Sequence, residues 1–138
     1  MRKIALDVGT VRIGIATSDP MGIIASGYET FVRTKDEEAD LKKIAALAVE
    51  KQADTFVIGL PLNMDGTEGE KVAEMREFAE KLSAHTDRKI VFQDERLTTV
   101  SAQKALIESG MRREKRKNVV DMVAATIILQ SYLDRINH

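Results

Sequence analysis

The hydrophobic period of this chain changes once, near Thr34, and that change restricts the fold more than any other feature. Before it, apolar residues alternate. Ile4, Leu6 and Val8 share one face of a strand running from Lys3 to Val8, with Ala5 and Asp7 on the other. Gly9-Thr10 turns into a second strand, Arg12 to Thr17. Asp19-Pro20-Met21-Gly22 then places proline and glycine where a type I turn favours them. Ile23 to Val32 follows as a third strand. Three short strands joined by tight turns predict an antiparallel meander.

Beyond Thr34 the period is helical. Thr34 and Glu37 form a capping box ahead of Leu41, Ile44, Ala45, Leu47 and Ala48; Thr67 and Glu70 form another ahead of Val72, Met75, Phe78, Ala79 and Leu82. Between these helices Thr55 to Leu60 is a continuous apolar run, as expected of a strand buried on both faces, and Lys89 to Gln93 predicts a further buried strand. Two more helices are expected, Thr98 to Ser109 and Asn118 to Ile136, separated by Gly110 and a basic segment, with Asn118 as the N-cap of the last. The last two strands are joined by a crossover and should run parallel. The expectation is a single α/β domain over residues 1–138. Its five-stranded mixed sheet, an antiparallel three-strand meander plus two parallel strands, is flanked by helices.

Composition narrows the chemistry. The chain has no cysteine, which excludes disulfide frameworks, zinc ribbons and thiol catalysis; with only two histidines, a His-built zinc site is hard to assemble. A metal would be held by oxygen ligands, which favours Mg²⁺ or Mn²⁺. The apolar stretch behind Met1 is interrupted by Asp7, Arg12 and Asp19, so neither a signal peptide nor a membrane span is expected, and the reading is cytoplasmic. The formal net charge is −1, but it is unevenly spread. Thr34 to Glu80 carries 6 basic and 12 acidic residues, net −6, whereas Glu95 to Asn118 carries 7 basic and 3 acidic, net +4. A nearly neutral total can therefore hide one acidic and one basic surface.

Three acids stand out. Asp7 lies inside a strand that should be largely buried, where a carboxylate is costly unless it is paired or bound to metal; Arg12 on the neighbouring strand is the alternative partner. Gly9 and Thr10 behind it supply N–H and hydroxyl groups suited to phosphate. Asp94 and Glu95 end a strand, the usual place for ligands in open α/β sheets, but successive side chains point to opposite faces and spacing does not choose between them. Asp121 lies beside the apolar stripe Val120, Ala124, Ile127, Ile128 and Ser131, and so points near the sheet. An acid in a helix's first turn also complements the helix dipole. Carboxylates from strand one, a later strand end and the final helix form the kind of cluster that holds paired metal ions for phosphodiester cleavage. The run Arg112-Arg113-Glu114-Lys115-Arg116-Lys117 leads into the Asp121 helix and suits backbone steering of a nucleic acid. Asn63, in the loop after Leu60, is a candidate polar contact.

Four segments, Ala5-Leu6-Asp7-Val8-Gly9-Thr10-Val11-Arg12-Ile13-Gly14, Gly59-Leu60-Pro61-Leu62-Asn63-Met64-Asp65-Gly66, Asp94-Glu95-Arg96-Leu97-Thr98-Thr99 and Val120-Asp121-Met122-Val123-Ala124-Ala125, occur in an order and spacing that resembles the YqgF family. These are bacterial proteins of the ribonuclease H-like superfamily, related to RuvC-type Holliday junction resolvases. The resemblance implies a ribonuclease H-like fold and metal-dependent cutting of nucleic acid, with members assigned to maturing the 5′ end of pre-16S ribosomal RNA or to resolving junctions. By motif position it puts the catalytic, metal-holding acids on Asp7, Glu95 and Asp121, choosing Glu95 over Asp94. The accompanying substrate contacts are Gly9, Thr10, Arg12, Asn63, Arg96, Thr98, Arg112, Arg113, Lys115, Arg116 and Lys117.

Structured RNA is therefore the expected partner. Branched DNA is the alternative, and symmetric cutting would need a homodimer rather than a monomer. Two other classes compete: a nucleotide-binding module, because Asp-Val-Gly-Thr also resembles the first phosphate motif of the sugar kinase and actin superfamily, and an RNA-binding ribosome-assembly factor that does not cut.

Overall fold

The computed structural model of the chain describes residues 1–95, 108, 110 and 113–137, the side chains of 113–118 excepted. Five strands form one sheet: β1 (Arg2–Val8), β2 (Arg12–Ser18), β3 (Ala25–Val32), β4 (Ala53–Leu60) and β5 (Lys89–Asp94). Their spatial order is β3-β2-β1-β4-β5. β1–β2 and β2–β3 pair antiparallel and β4–β5 pair parallel, as expected, and β1–β4 also pair parallel, which joins the meander to the parallel strands.

Strand alternation divides the core in two. Ile4 and Leu6 of β1, Ile13 and Ile15 of β2, and Phe56 and Ile58 of β4 pack against α1 (Glu37–Glu50) and α2 (Glu70–Ser83). Ala5, Ala16 and Val57 point to the opposite face, beneath Ala125, Ile128, Leu129 and Leu133 of α3 (Arg113–Ile136). Small residues on this second face let α3 lie close to the sheet, so the odd-numbered residues of β1 look towards that helix. Among the described residues no helix is long and apolar enough to cross a membrane.

Several sequence expectations need correction. β3 begins at Ala25 rather than Ile23, because the Asp19 carboxylate accepts from the N–H groups of Ile23 at 2.7 Å and Ile24 at 2.8 Å, diverting them from the ladder. The cap of α1 is Asp36, which accepts from Ala39 N; Thr34 instead braces the buried Asp40 with its N–H and hydroxyl. Gly69 caps α2 without a side-chain bond, while Thr67 donates to Asp65. β5 is half-buried rather than buried, since it lies at the sheet edge with one neighbour. Asn118 is not an N-cap: α3 starts at Arg113, so the basic segment is helical and Asp121 lies beyond the second turn. The buried stripe of α3 runs through Ala124, Ala125, Ile128, Leu129, Tyr132 and Leu133, leaving Ser131 exposed. The helix expected from Thr98 to Ser109 falls almost wholly outside the described residues.

Candidate nuclease site

Asp7 is held between two glycines. Across the antiparallel ladder it pairs with Gly14 of β2; on its other side β1 and β4 run in register through Leu6 and Ile58, which brings Gly59 alongside. Both glycines are buried, and their neighbours on β2 and β4 show that they share the face covered by α3. A methyl group at Gly14 would overlap the backbone carbonyl of Asp121. The bare Gly14 backbone therefore seats α3 directly on β2 and fixes the depth at which Asp121 is presented.

Glu95 follows β5 immediately, and its N–H donates to the Leu60 carbonyl at 3.1 Å. That bond continues the parallel ladder by one step and turns the Glu95 side chain towards β1, while Asp94 is exposed. Of the two acids that spacing left open, Glu95 is the one turned inward, within hydrogen-bonding reach of Asp7.

Such contact between two carboxyl groups requires a proton. Burial raises the Asp7 pKa from 3.8 to about 6, with the nearby Asp121 charge adding to the rise and the Glu95 hydrogen bond opposing it. Burial pushes Glu95 further, from 4.5 to about 8; the Asp7 charge and hydrogen bond add to this, and Lys71 partly offsets it. Burial thus raises both carboxyls, and the pair holds a proton more readily than either acid would in water.

Asp121 completes the acidic corner by a different route. Its Oδ2 accepts from Arg12 Nε at 3.2 Å, an ion pair between the first residue of β2 and α3. Arg12 therefore neutralises Asp121 and not Asp7, contrary to the simplest sequence alternative. Among the described residues no group of three acidic or histidine side chains is arranged to hold a metal ion as it stands. The donor set nonetheless fits a hard divalent cation. Burial raises both Asp7 and Glu95, a third acid lies close enough to add to the rise at Asp7, and all the donors are oxygens.

The three acids open into a cleft of about 1050 Å³, lined also by Gly9, Thr10, Val11, Arg33, Pro61, Lys71, Phe78 and Lys81. The β1–β2 turn is tightly built: Gly9 N–H donates to the Arg12 carbonyl at 2.9 Å, and a Cβ on Gly9 would lie 2.7 Å from that oxygen. Arg33 clamps the same turn, donating to the Gly9 carbonyl at 2.7 Å while lying over the Phe78 ring. Thr10 is exposed at the turn's tip.

Asn63 serves the loop rather than the cleft. Its N–H donates to the Thr67 carbonyl and its side-chain amide to the Thr67 hydroxyl, bracing the β4–α2 connection. Arg113, Lys115, Arg116 and Lys117 fall on the first turns of α3; Arg96, Thr98 and Arg112 lie outside the described residues. Sequence reasoning missed Lys71, Arg33 and the glycine pair. A lysine early in an amphipathic helix and an arginine at a strand end carry no distinguishing signal, and the glycines act only through neighbours distant in sequence.

A model of the RuvX family, described as Holliday junction resolvase, matches residues 1–135. The chain belongs to the RuvX family. This is the relationship the four sequence motifs indicated, and it assigns the chain to the nucleic-acid-cleaving hydrolases. A protein from Halalkalibacterium halodurans, provisionally named a pre-16S rRNA nuclease, is 48% identical over 136 residues, covering 98% of this chain and 97% of its own. One from Clostridium acetobutylicum with the same provisional name is 46% identical, covering 99% and 100%. Among solved structures, Thermus thermophilus RuvC aligns over 99% of this chain and 97% of its own, with TM-score 0.57 and 11% identity. RuvC from the same organism in complex with a Holliday junction substrate gives TM-score 0.58 at 10% identity, over 99% and 96%. At those identities RuvC attests the shared ribonuclease H-like fold of this RuvX chain.

Proposed function

We propose that this RuvX protein is a cytoplasmic, Mg²⁺- or Mn²⁺-dependent endonuclease that processes the 5′ end of pre-16S rRNA. The observation carrying this reading is the convergence of Asp7, Glu95 and Asp121 on one cleft, with the Glu95 carboxyl passing over Gly59 towards Asp7. Two carboxyls pressed together in a half-buried corner destabilise each other when ionised, and a divalent cation relieves that cost better than a proton. Asp7, Glu95 and Asp121 would hold it. Bound there, the metal supplies Lewis-acid activation of water and neutralises charge developing on the phosphate.

The chain's own groups do the rest. Asp7 and Glu95, with Asp121 beside them, would present their carboxyl oxygens to the ion, and the exposed Arg12 guanidinium, which pairs with Asp121, would meet a phosphate oxygen. The Thr10 hydroxyl, exposed at the tip of the Gly9-Thr10 turn, contacts the neighbouring phosphate. The basic start of α3, Arg113, Lys115, Arg116 and Lys117, with Arg112, Arg96 and Thr98 before it, guides the backbone into the cleft. Asn63 orders the loop at the opposite wall.

The relatives' names favour precursor rRNA, and the family description favours a four-way DNA junction as a second reading. Symmetric resolution of a junction needs two active sites and hence a homodimer, whereas end processing of RNA needs only a monomer. Incubating the protein with labelled pre-16S RNA and with a four-way junction, each with Mg²⁺, Mn²⁺ or EDTA, separates them. Metal-dependent RNA cleavage supports the leading reading. Cleavage of the junction alone replaces it with the resolvase, and RNA binding without cleavage leaves an assembly factor.

A further inference from the structure

We infer that Gly59 is a positioning residue whose missing side chain opens the passage by which Glu95 reaches Asp7. The inference deepens the proposed function and rests on it for the role of the metal. β4 lies between β1, which carries Asp7, and β5, which precedes Glu95. A side chain launched beyond β5 must therefore cross β4 to meet Asp7. Gly59 stands at that crossing, on the same sheet face, in register with Gln93 of β5 and one step beyond the Leu6–Ile58 pair of β1.

A Cβ built on Gly59 would lie 2.9 Å from Glu95 Oε2, 3.0 Å from Glu95 Cδ and 2.6 Å from Ile128 Cδ1. None of these distances is compatible with an ordinary carbon contact. The identity of the obstructing atoms decides the consequence. At Gly14 the obstruction is backbone, so a side chain there opposes the seating of α3 itself. At Gly59 it is two side-chain ends, one of them the buried Ile128, packed among Leu129, Ala125 and Val57. Glu95 is the freer of the two, so a methyl group at Gly59 evicts the carboxylate and spares the fold. Gly59 also occupies the β4 position adjacent to Asp7, where an acid could have been presented directly. In this chain the bare position admits an acid from one strand further away.

The test exploits the fact that Ile128→Val deletes Cδ1, the atom in the steric conflict that does not belong to Glu95. Wild type, Ile128→Val and the double variant Gly59→Ala/Ile128→Val are compared by metal-free crystal structures, Mn²⁺ calorimetry and thermal unfolding. Ile128→Val should retain the Asp7–Glu95 contact and wild-type Mn²⁺ affinity. The double variant should unfold at the same temperature as Ile128→Val, lose the contact, and bind Mn²⁺ about 10–100-fold more weakly, the usual range for loss of a ligand-orienting neighbour. A preserved Asp7–Glu95 contact in the double variant, or Mn²⁺ affinity equal to that of Ile128→Val, overturns the inference. Failure of wild type to bind Mn²⁺ would instead overturn the metal reading, and the crystallographic contact would still decide the role of Gly59. If the double variant does not fold, Glu95→Asp provides the second test. Its shorter side chain should fail to span β4 and lose Mn²⁺ affinity despite keeping its charge, and unchanged affinity would count against the passage.

Discussion

Arg12 and Asp121 are joined at 3.2 Å, so the third acid lining the cleft is held by an arginine of β2. Both partners are partly exposed, which makes the pair weak and exchangeable. An ion pair of this kind can hold Asp121 apart from the other acids and still yield to a stronger cation.

Arg12→Ala should therefore separate metal binding from substrate binding. Without its competitor, Asp121 is free for the metal, and Mn²⁺ affinity measured by calorimetry should stay level or rise several-fold. RNA affinity should fall, and the slope of log affinity against log salt should become shallower by about one phosphate contact, roughly 0.7 on a single strand. Loss of Mn²⁺ affinity in this variant would show that Arg12 supports the acids rather than competing for one.

The raised Asp7 and Glu95 carboxyls give the metal-free protein a specific pH profile. Folding raises Asp7 from 3.8 to about 6 and Glu95 from 4.5 to about 8. Between about pH 4 and pH 8 the native state thus binds more protons than the unfolded chain, so these two groups lower stability as pH rises through that window. Calorimetric melting temperatures should fall across it, and Glu95→Gln should flatten the upper half. Mg²⁺ should compensate increasingly as the proton leaves, so its stabilising shift is larger at pH 8.5 than at pH 5.5. Equal shifts at the two values would contradict the site.

Gly14 offers a test of how α3 is seated. Because the Gly14→Ala methyl would meet the Asp121 carbonyl, the helix must lift or the strand bend. Overpacking of this type costs about 1–3 kcal/mol, and a backbone obstacle places it at the upper end. Urea unfolding should show the loss, together with weaker Mn²⁺ binding. A variant as stable as wild type would mean that α3 sits less closely than described.

Much of this architecture was legible in the sequence, for physical reasons. Alternation in β1 and β2 and the unbroken apolar run of β4 follow directly from burying one face or two, so the meander and the parallel pair could be read from them. Asp7 announced itself as a carboxylate on a buried strand. Asp121 was rightly placed against the sheet, but the start of its helix was missed: Asn118 has the chemistry of an N-cap, while Arg, Glu and Lys are equally good helix interior residues. The choice between Asp94 and Glu95 could not be made from alternation alone, because it depends on how the chain leaves β5 and on the Leu60 carbonyl that receives Glu95. Gly59 was invisible for the same reason: its importance lies in a side chain that arrives from another strand.

The basic start of α3 predicts electrostatic rather than sequence-specific binding. Replacing Lys115 and Arg116 with alanine should weaken pre-16S RNA and unrelated RNA alike and reduce the salt slope by about 1–2. Filter binding from low to high salt measures this, and an unchanged slope would remove α3 from the binding surface.

Cleavage of end-labelled pre-16S RNA by wild type and Asp7→Asn decides whether Asp7, Glu95 and Asp121 form a metal-dependent cleavage centre. Asp7→Asn removes a half-buried charge without changing shape, so the variant should melt no lower than wild type in the absence of metal. Wild type should cleave in Mg²⁺ or Mn²⁺ and not in EDTA, and Asp7→Asn should cleave in neither metal. Cleavage that persists in EDTA, or an Asp7→Asn protein that cuts as fast as wild type, would contradict it.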